Sequence, residues 1–240
     1  MADAAVGLQT AVRAALREVA DPAKAAPMQA YMKSAMPYLG VPTPARRIVQ
    51  RQVFTAHKLA DRPTWEAAVR QLWDEAEFRE ERYVAITLTG ERRYLSWQDP
   101  ETVPLYEHLI VSGAWWDYVD ELAIRRVGPI VRAYPLEMTS LLRSWAGDGD
   151  LWRRRTAVIA QVGSKAVTDT SLLADVIETN LDGSPITKNF FIRKGIGWAL
   201  REYAKTDPDW VRAFVHDHAD ALAPLSVREA TKHLKLVDSG

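Results

Sequence analysis

The chain has 240 residues, 48% of them hydrophobic and 26% charged, with 31 Lys+Arg balanced by 31 Asp+Glu. That is ordinary globular composition, long enough to bury a substantial core within one domain over residues 1–240, and its zero net charge gives no global pull towards a polyanion. The lack of cysteine excludes disulfides, thiolate nucleophiles and Cys-type zinc sites, and suits a reducing cytosol.

Met1 to Leu8 carry neither a basic stretch nor an apolar run, and nowhere do about 18 uncharged apolar residues stand together. A cytoplasmic protein with no membrane partner is expected. Apolar residues recur three and four apart along nearly the whole chain, without sustained period-two alternation, which predicts an all-α fold.

In chain order, Tyr31 in Met28-Gln29-Ala30-Tyr31-Met32-Lys33 offers a hydroxyl to a surface or a ring to the core. Gly40, after Met36 to Leu39, reads as a helix stop. Thr43-Pro44 reads as an N-cap followed by proline at the first helical position, and the N–H groups of such a start can take a phosphate. Arg46, Arg47 and Arg51 follow it. Asp99-Pro100 repeats the start signal, and Gly113 closes the helix containing His108 to Ser112.

The most informative stretch is Ala114-Trp115-Trp116-Asp117-Tyr118-Val119-Asp120. On a helix, Trp116 and Asp120 stand at i, i+4 on one face, where an indole π-face and a carboxylate together can grip a cation or stabilise a developing carbocation. The same letters also fit two core tryptophans and a solvated acid.

Gly147-Asp148-Gly149-Asp150 separates two helices, and Arg153-Arg154-Arg155 falls in the first turn of the second. Cations there oppose the helix dipole, so an anionic partner is expected, with one of the three facing a groove. Further on, Lys194, Trp198, Arg201 and Lys205 at i, i+4, i+7 and i+11 share one face. This is a basic stripe with a flat ring for a sugar or base, or a solvated face with Trp198 in the core. Gly195 and Gly197 within that helix cost about 1 kcal/mol each relative to alanine and fit either ligand approach or close helix packing. Asp207-Pro208 gives another start, and Ser226-Val227-Arg228-Glu229 reads as a capping box. His216 and His218, at i, i+2, turn to different sides, so no metal is expected.

About a dozen short helices joined by short turns must bury their faces by stacking in pairs. That predicts an α-solenoid of HEAT or armadillo type with a concave groove for an extended ligand, a compact bundle being the alternative.

Pro27-Met28-Gln29-Ala30-Tyr31-Met32-Lys33, Leu39-Gly40 with Thr43-Pro44 and Arg46-Arg47, Trp115-Trp116-Asp117 with Val119-Asp120, Lys194-Gly195-Ile196-Gly197-Trp198-Ala199-Leu200-Arg201-Glu202-Tyr203-Ala204-Lys205, and Pro224-Leu225-Ser226 with Arg228-Glu229-Ala230 together resemble the AlkD family of DNA alkylation-repair glycosylases. The matches run in order from about residue 21 to residue 235. The N-terminal twenty residues, Arg153-Arg154 and the segment from Gly163 to Thr168 depart from the family's pattern.

The resemblance implies a HEAT-like α-solenoid that binds duplex DNA and excises cationic N3- or N7-alkylated purines with no metal or cofactor. It also implies that the damaged nucleotide is not drawn into a deep pocket, unlike the usual base-flipping strategy. Asp120 would be the catalytic carboxylate, and Trp116 and Trp198 would flank the lesion's deoxyribose and backbone. Tyr31, Arg47, Arg155 and Arg201 would lie along the DNA, with Phe190 and Phe191 near the lesion-bearing segment. Thr43 and Lys194, read from the helix start and the basic stripe, complete the expected DNA-binding set. The expected activity is that of a monofunctional glycosylase, a monomer of the bacterial cytosol or nucleoid. Two other readings remain: a non-catalytic HEAT-like module for distorted or branched DNA, and a protein-binding scaffold.

Overall fold

The computed structural model describes residues 2–234 of the chain. The described residues contain no strand, so the all-α class expected from the periodicity is the one the chain adopts. Two compact units divide it, Met1–Trp97 and Gln98–Gly240.

The first unit holds α1 (Ala2–Glu18), α2 (Pro22–Met32), α3 (Thr43–Ala56), α4 (Arg62–Asp74) and α5 (Arg79–Thr89). Helix α1 packs on α3 and α4, and α5 on α4. Together they bury Leu8, Val12 and Leu16 with Trp65, Val69, Leu72 and Trp73. Asp61 starts α4 by accepting the Thr64 N–H at 2.8 Å, ahead of a proline whose missing donor costs nothing there.

Two punctuation signals of this unit act differently from the sequence expectation. Helix α2 ends at Met32 with Lys33 left-handed (φ 50°), so Gly40 (φ 81°) terminates nothing. It lies in a loop whose Leu39, Gly40 and Val41 N–H groups all donate to the buried Glu80 carboxylate at 2.9–3.0 Å. Thr43 is the first residue of α3 and not its cap: Pro42 precedes it and no side chain caps the turn. Its hydroxyl instead accepts from Arg46 Nη2 at 3.4 Å.

The second unit holds α6 (Val103–Gly113), α7 (Trp116–Leu122), α8 (Gly128–Ala133), α9 (Pro135–Ala146), α10 (Leu151–Ile159), α11 (Thr170–Glu178), α12 (Phe190–Tyr203), α13 (Pro208–Asp217) and α14 (Pro224–Ala230). A π-helical turn, Ala123–Val127, joins α7 to α8. Helix α10 is the hub, packing against α6, α7, α9, α11 and α12, while α14 lies along α12. Asp150, Asp169, Asn189 and Asp207 cap α10 to α13 by accepting backbone N–H groups, so the Asp207-Pro208 signal acts as read.

The capping box at Ser226–Glu229 does not form. Helix α14 starts two residues earlier, at Pro224, and both side chains reach across to α12. Ser226 Oγ donates to the Arg193 carbonyl at 2.8 Å. No helix among the described residues is long and apolar enough to cross a membrane.

Gly128 sets the approach of α8 to the end of α10: a Cβ on it would stand 2.4 Å from the Ala160 carbonyl oxygen. Backbone cannot swing aside as a flexible side chain can. Gly128→Ala is therefore expected to destabilise the protein by about 1–3 kcal/mol, read as a fall of several degrees in the thermal midpoint by circular dichroism. An unchanged midpoint would mean that the two helices separate freely.

Candidate active site

Helix α7 carries Trp116 and Asp120 one turn apart, as their spacing requires. The Trp115-Trp116 pair divides between the two readings open to it. Trp115 packs at 5.7 Å, edge-on, against Phe191 and at 6.4 Å against Trp152, whereas Trp116 is exposed. The carboxylate of Asp120, 16% exposed, points at α10, where Arg155 Nε donates to one oxygen at 2.7 Å and Nη2 to the other at 2.8 Å. This is a bidentate guanidinium–carboxylate fork.

The third arm of Arg155, Nη1, donates to the Phe191 carbonyl at 2.5 Å, at the start of α12. One buried guanidinium thus ties three helices to the acid. Gly195 leaves room for it: a Cβ there would stand 3.3 Å from Arg155 Nη1. Burial lifts the Asp120 carboxyl above its ordinary range, and the Arg155 hydrogen bonds and charge oppose that rise.

Eight residues line one hollow of about 360 Å³: Trp116, Asp120, Arg155, Phe190, Phe191, Lys194, Trp198 and Arg201. All eight expected site residues of this unit come together there. Phe190 is 58% exposed, a large apolar ring left in solvent at its rim. Trp116, Asp120 and Trp198 also line an adjoining hollow of about 770 Å³ whose wall includes Asp117, Glu121, Arg125, Arg132 and Glu202. The expected residues of the other unit, Tyr31, Thr43 and Arg47, are each exposed on its surface.

The cations are not spent as the sequence suggested. Arg155, expected along DNA, is 4% exposed with all three nitrogens engaged inside the protein, because the buried Asp120 charge needs it. Its two neighbours are likewise engaged by groups of the protein itself. Arg153 pairs with Glu107 at 2.7 Å and Asp148 at 3.1 Å, and Arg154 donates to the Gly147 and Asp148 carbonyls and to Asn180.

On α12, Lys194 and Arg201 both pair with Glu229 of α14, Lys194 Nζ at 2.5 Å from Oε1 and Arg201 on Oε2. Lys205 pairs with Glu202 at 2.7 Å. The Lys194 ammonium, then the Arg201 guanidinium, hold Glu229 below the usual carboxylate range. Gly197 explains the closeness of the two helices, since a Cβ on it would meet Glu229 Cβ at 2.5 Å. Close packing is therefore the use of both glycines.

Sequence reading missed Glu229, which it assigned to a helix cap, and the Phe191 carbonyl. The signal for Glu229 was the stripe itself: two half-buried cations on a glycine-thinned helix face require a carboxylate from the helix packed on it.

Comparison with known proteins bears on what this arrangement serves. None of the curated proteins matches the chain. Among solved structures, a protein of Enterococcus faecalis described as a predicted DNA alkylation repair enzyme superimposes with a TM-score of 0.80 at 29% identity, over 90% of this chain and 97% of its own. The family model for DNA alkylation repair enzymes matches residues 12–234. The chain belongs to the DNA alkylation repair enzyme family.

Proposed function

We propose that this repair protein is a monofunctional DNA glycosylase that hydrolyses the N-glycosidic bond of cationic N3- and N7-alkylated purines in duplex DNA. The observation that carries the reading is the hollow between Trp116 and Trp198 with the clamped Asp120 carboxylate on its wall.

N3 or N7 alkylation already makes the purine a good leaving group: the C1′–N bond breaks with its electron pair going to the base, which departs neutral. No acid is needed on that side. Positive charge migrates to the C1′–O4′ unit of the sugar. A carboxylate and two indole faces stabilise that charge more than they stabilise the ground state. Water then adds its oxygen to C1′ and gives up a proton towards Asp120. Arg155 occupies one lone pair on each Asp120 oxygen, and a carboxylate has about four such sites, so acceptor capacity remains for the sugar cation or the water.

Lys194 stays out of the chemistry. Its ammonium is paired with Glu229, which supports simple hydrolysis over lyase action through an amine nucleophile. Phe190 and Arg201 are assigned to the lesion-bearing strand, and Tyr31, Thr43 and Arg47 to flanking DNA. Two indoles flanking the sugar leave the lesion outside any deep pocket. Every group assigned to the chemistry belongs to one chain, so a monomer suffices, working on chromosomal DNA in a bacterial cytosol or nucleoid.

Incubation with methylated duplex DNA should release free 7-methylguanine and 3-methyladenine, while hypoxanthine, whose departure needs protonation, should stay in place. Bound DNA without release would support a second reading, a non-catalytic module for distorted or branched DNA. That reading is favoured by the Asp120–Arg155 fork, a geometry that structural ion pairs also adopt.

A further inference from the structure

We propose that Glu229 is a resident counter-ion: it stands behind Lys194 and Arg201, cancels one of their two charges, and so limits how strongly the site holds undamaged DNA. The inference rests on the glycosylase reading above, and it concerns the cations of that site.

The geometry separates the two faces of the cation pair. Lys194 and Arg201 line the hollow beside Trp198, and Glu229 does not. Each carboxylate oxygen takes one cation, Oε1 the Lys194 ammonium at 2.5 Å and Oε2 the Arg201 guanidinium. Glu229 is 13% exposed, and α14 is held in place by the Ser226 hydroxyl on the Arg193 carbonyl and by the close approach at Gly197.

An ammonium has three donors and a guanidinium five, so one bond each to Glu229 leaves both able to meet a phosphate oxygen on the open side. The carboxylate relieves the repulsion between two cations facing one hollow and fixes where they point. It leaves a net single positive charge at the site. Undamaged backbone then gains about one phosphate contact's worth of counterion release where two would otherwise be available. A repair enzyme that must leave undamaged sequence quickly needs that restraint.

The test uses the whole protein and a short fluorescein-labelled undamaged duplex, with binding measured across a salt series. Glu229→Gln keeps the shape and one acceptor but removes the charge. It should bind several-fold more tightly at low salt, and its slope of log K against log salt should steepen by about 0.9. Single-turnover excision from a methylated duplex should change less than about twofold, because the Asp120 machinery is intact. The double variant Lys194→Gln with Glu229→Gln restores the net charge, so its slope should return to that of the natural sequence.

An unchanged or shallower slope in Glu229→Gln, with or without a lower melting temperature, makes Glu229 a brace between helices and overturns the inference. If Glu229→Gln does not fold, the double variant Lys194→Gln with Arg201→Gln decides. With a resident counter-ion the site loses the one phosphate contact it had and the slope falls by about 0.9. With a brace that cancels neither charge it loses two and the slope falls by about 1.8. A natural protein whose DNA binding shows no salt dependence would overturn the glycosylase reading as well. Failure confined to the variants leaves that reading standing.

Discussion

Asp120→Asn should lower single-turnover release of 7-methylguanine by about 10²–10³-fold, the scale seen when one preorganised group facing transition-state charge is removed. DNA affinity should stay within about twofold, since an amide of the same shape changes nothing that touches phosphate. Asparagine keeps the shape and one acceptor for Arg155, and the Phe191 carbonyl keeps another. The buried guanidinium nevertheless loses its counter-charge, so a lower melting temperature should accompany the loss of activity. Equal losses of excision and affinity would contradict the assigned role, because then position 120 would be holding DNA and not the sugar's charge. A change in the far-ultraviolet circular dichroism spectrum would assign the loss to folding.

Arg155→Ala should be the more disruptive change for the fold. It deletes all three hydrogen bonds that join α7, α10 and the start of α12 and leaves a buried carboxylate unpaired, for which about 3–5 kcal/mol is the usual cost. Its second signature is a pH profile. Excision needs Asp120 ionised, and the ionised fraction falls as pH drops through its pKa. Burial already lifts that pKa, so the acid limb for the natural sequence should lie above the roughly 3.9 of a free aspartate. Removing the opposing guanidinium should move the limb further towards neutral. Arg155→Lys keeps a charge but not the planar fork, so its limb should fall between the two. Superimposable acid limbs in all three proteins would mean that Arg155 braces helices without governing the carboxylate.

What was legible in the sequence follows the range over which each signal acts. The period of apolar residues gave helices, and Asp207-Pro208 gave a start, because both depend on neighbours within one turn. The i, i+4 pair of Trp116 and Asp120 was readable for the same reason, and the stripe through Trp198 likewise. Ion pairs between helices were not. Asp120 and Arg155 are 35 positions apart, as are Lys194 and Glu229, and nothing local in either member names the other. The local grammar then misassigned what it could not see. Ser226 and Glu229 have the spacing of a capping box, yet Pro224 opens α14 earlier and frees both for contacts with α12. Of the three arginines after Asp150, read as needing an anionic partner, Arg153 and Arg155 have carboxylates of the protein itself, and Arg154 has only neutral acceptors.

The widened turn at Ala123–Val127 bears on how relatives should be aligned. A π turn accommodates one residue more than regular winding. A cousin lacking that residue would keep its equivalents of Trp116 and Asp120 in step, while every position beyond the turn is rotated by roughly 100°, one residue's share of a helical turn. Gly128 would then no longer face Ala160. For such a cousin the gap belongs between positions 123 and 127, and the acid should be located by counting forward from the tryptophan, never backward from the glycine.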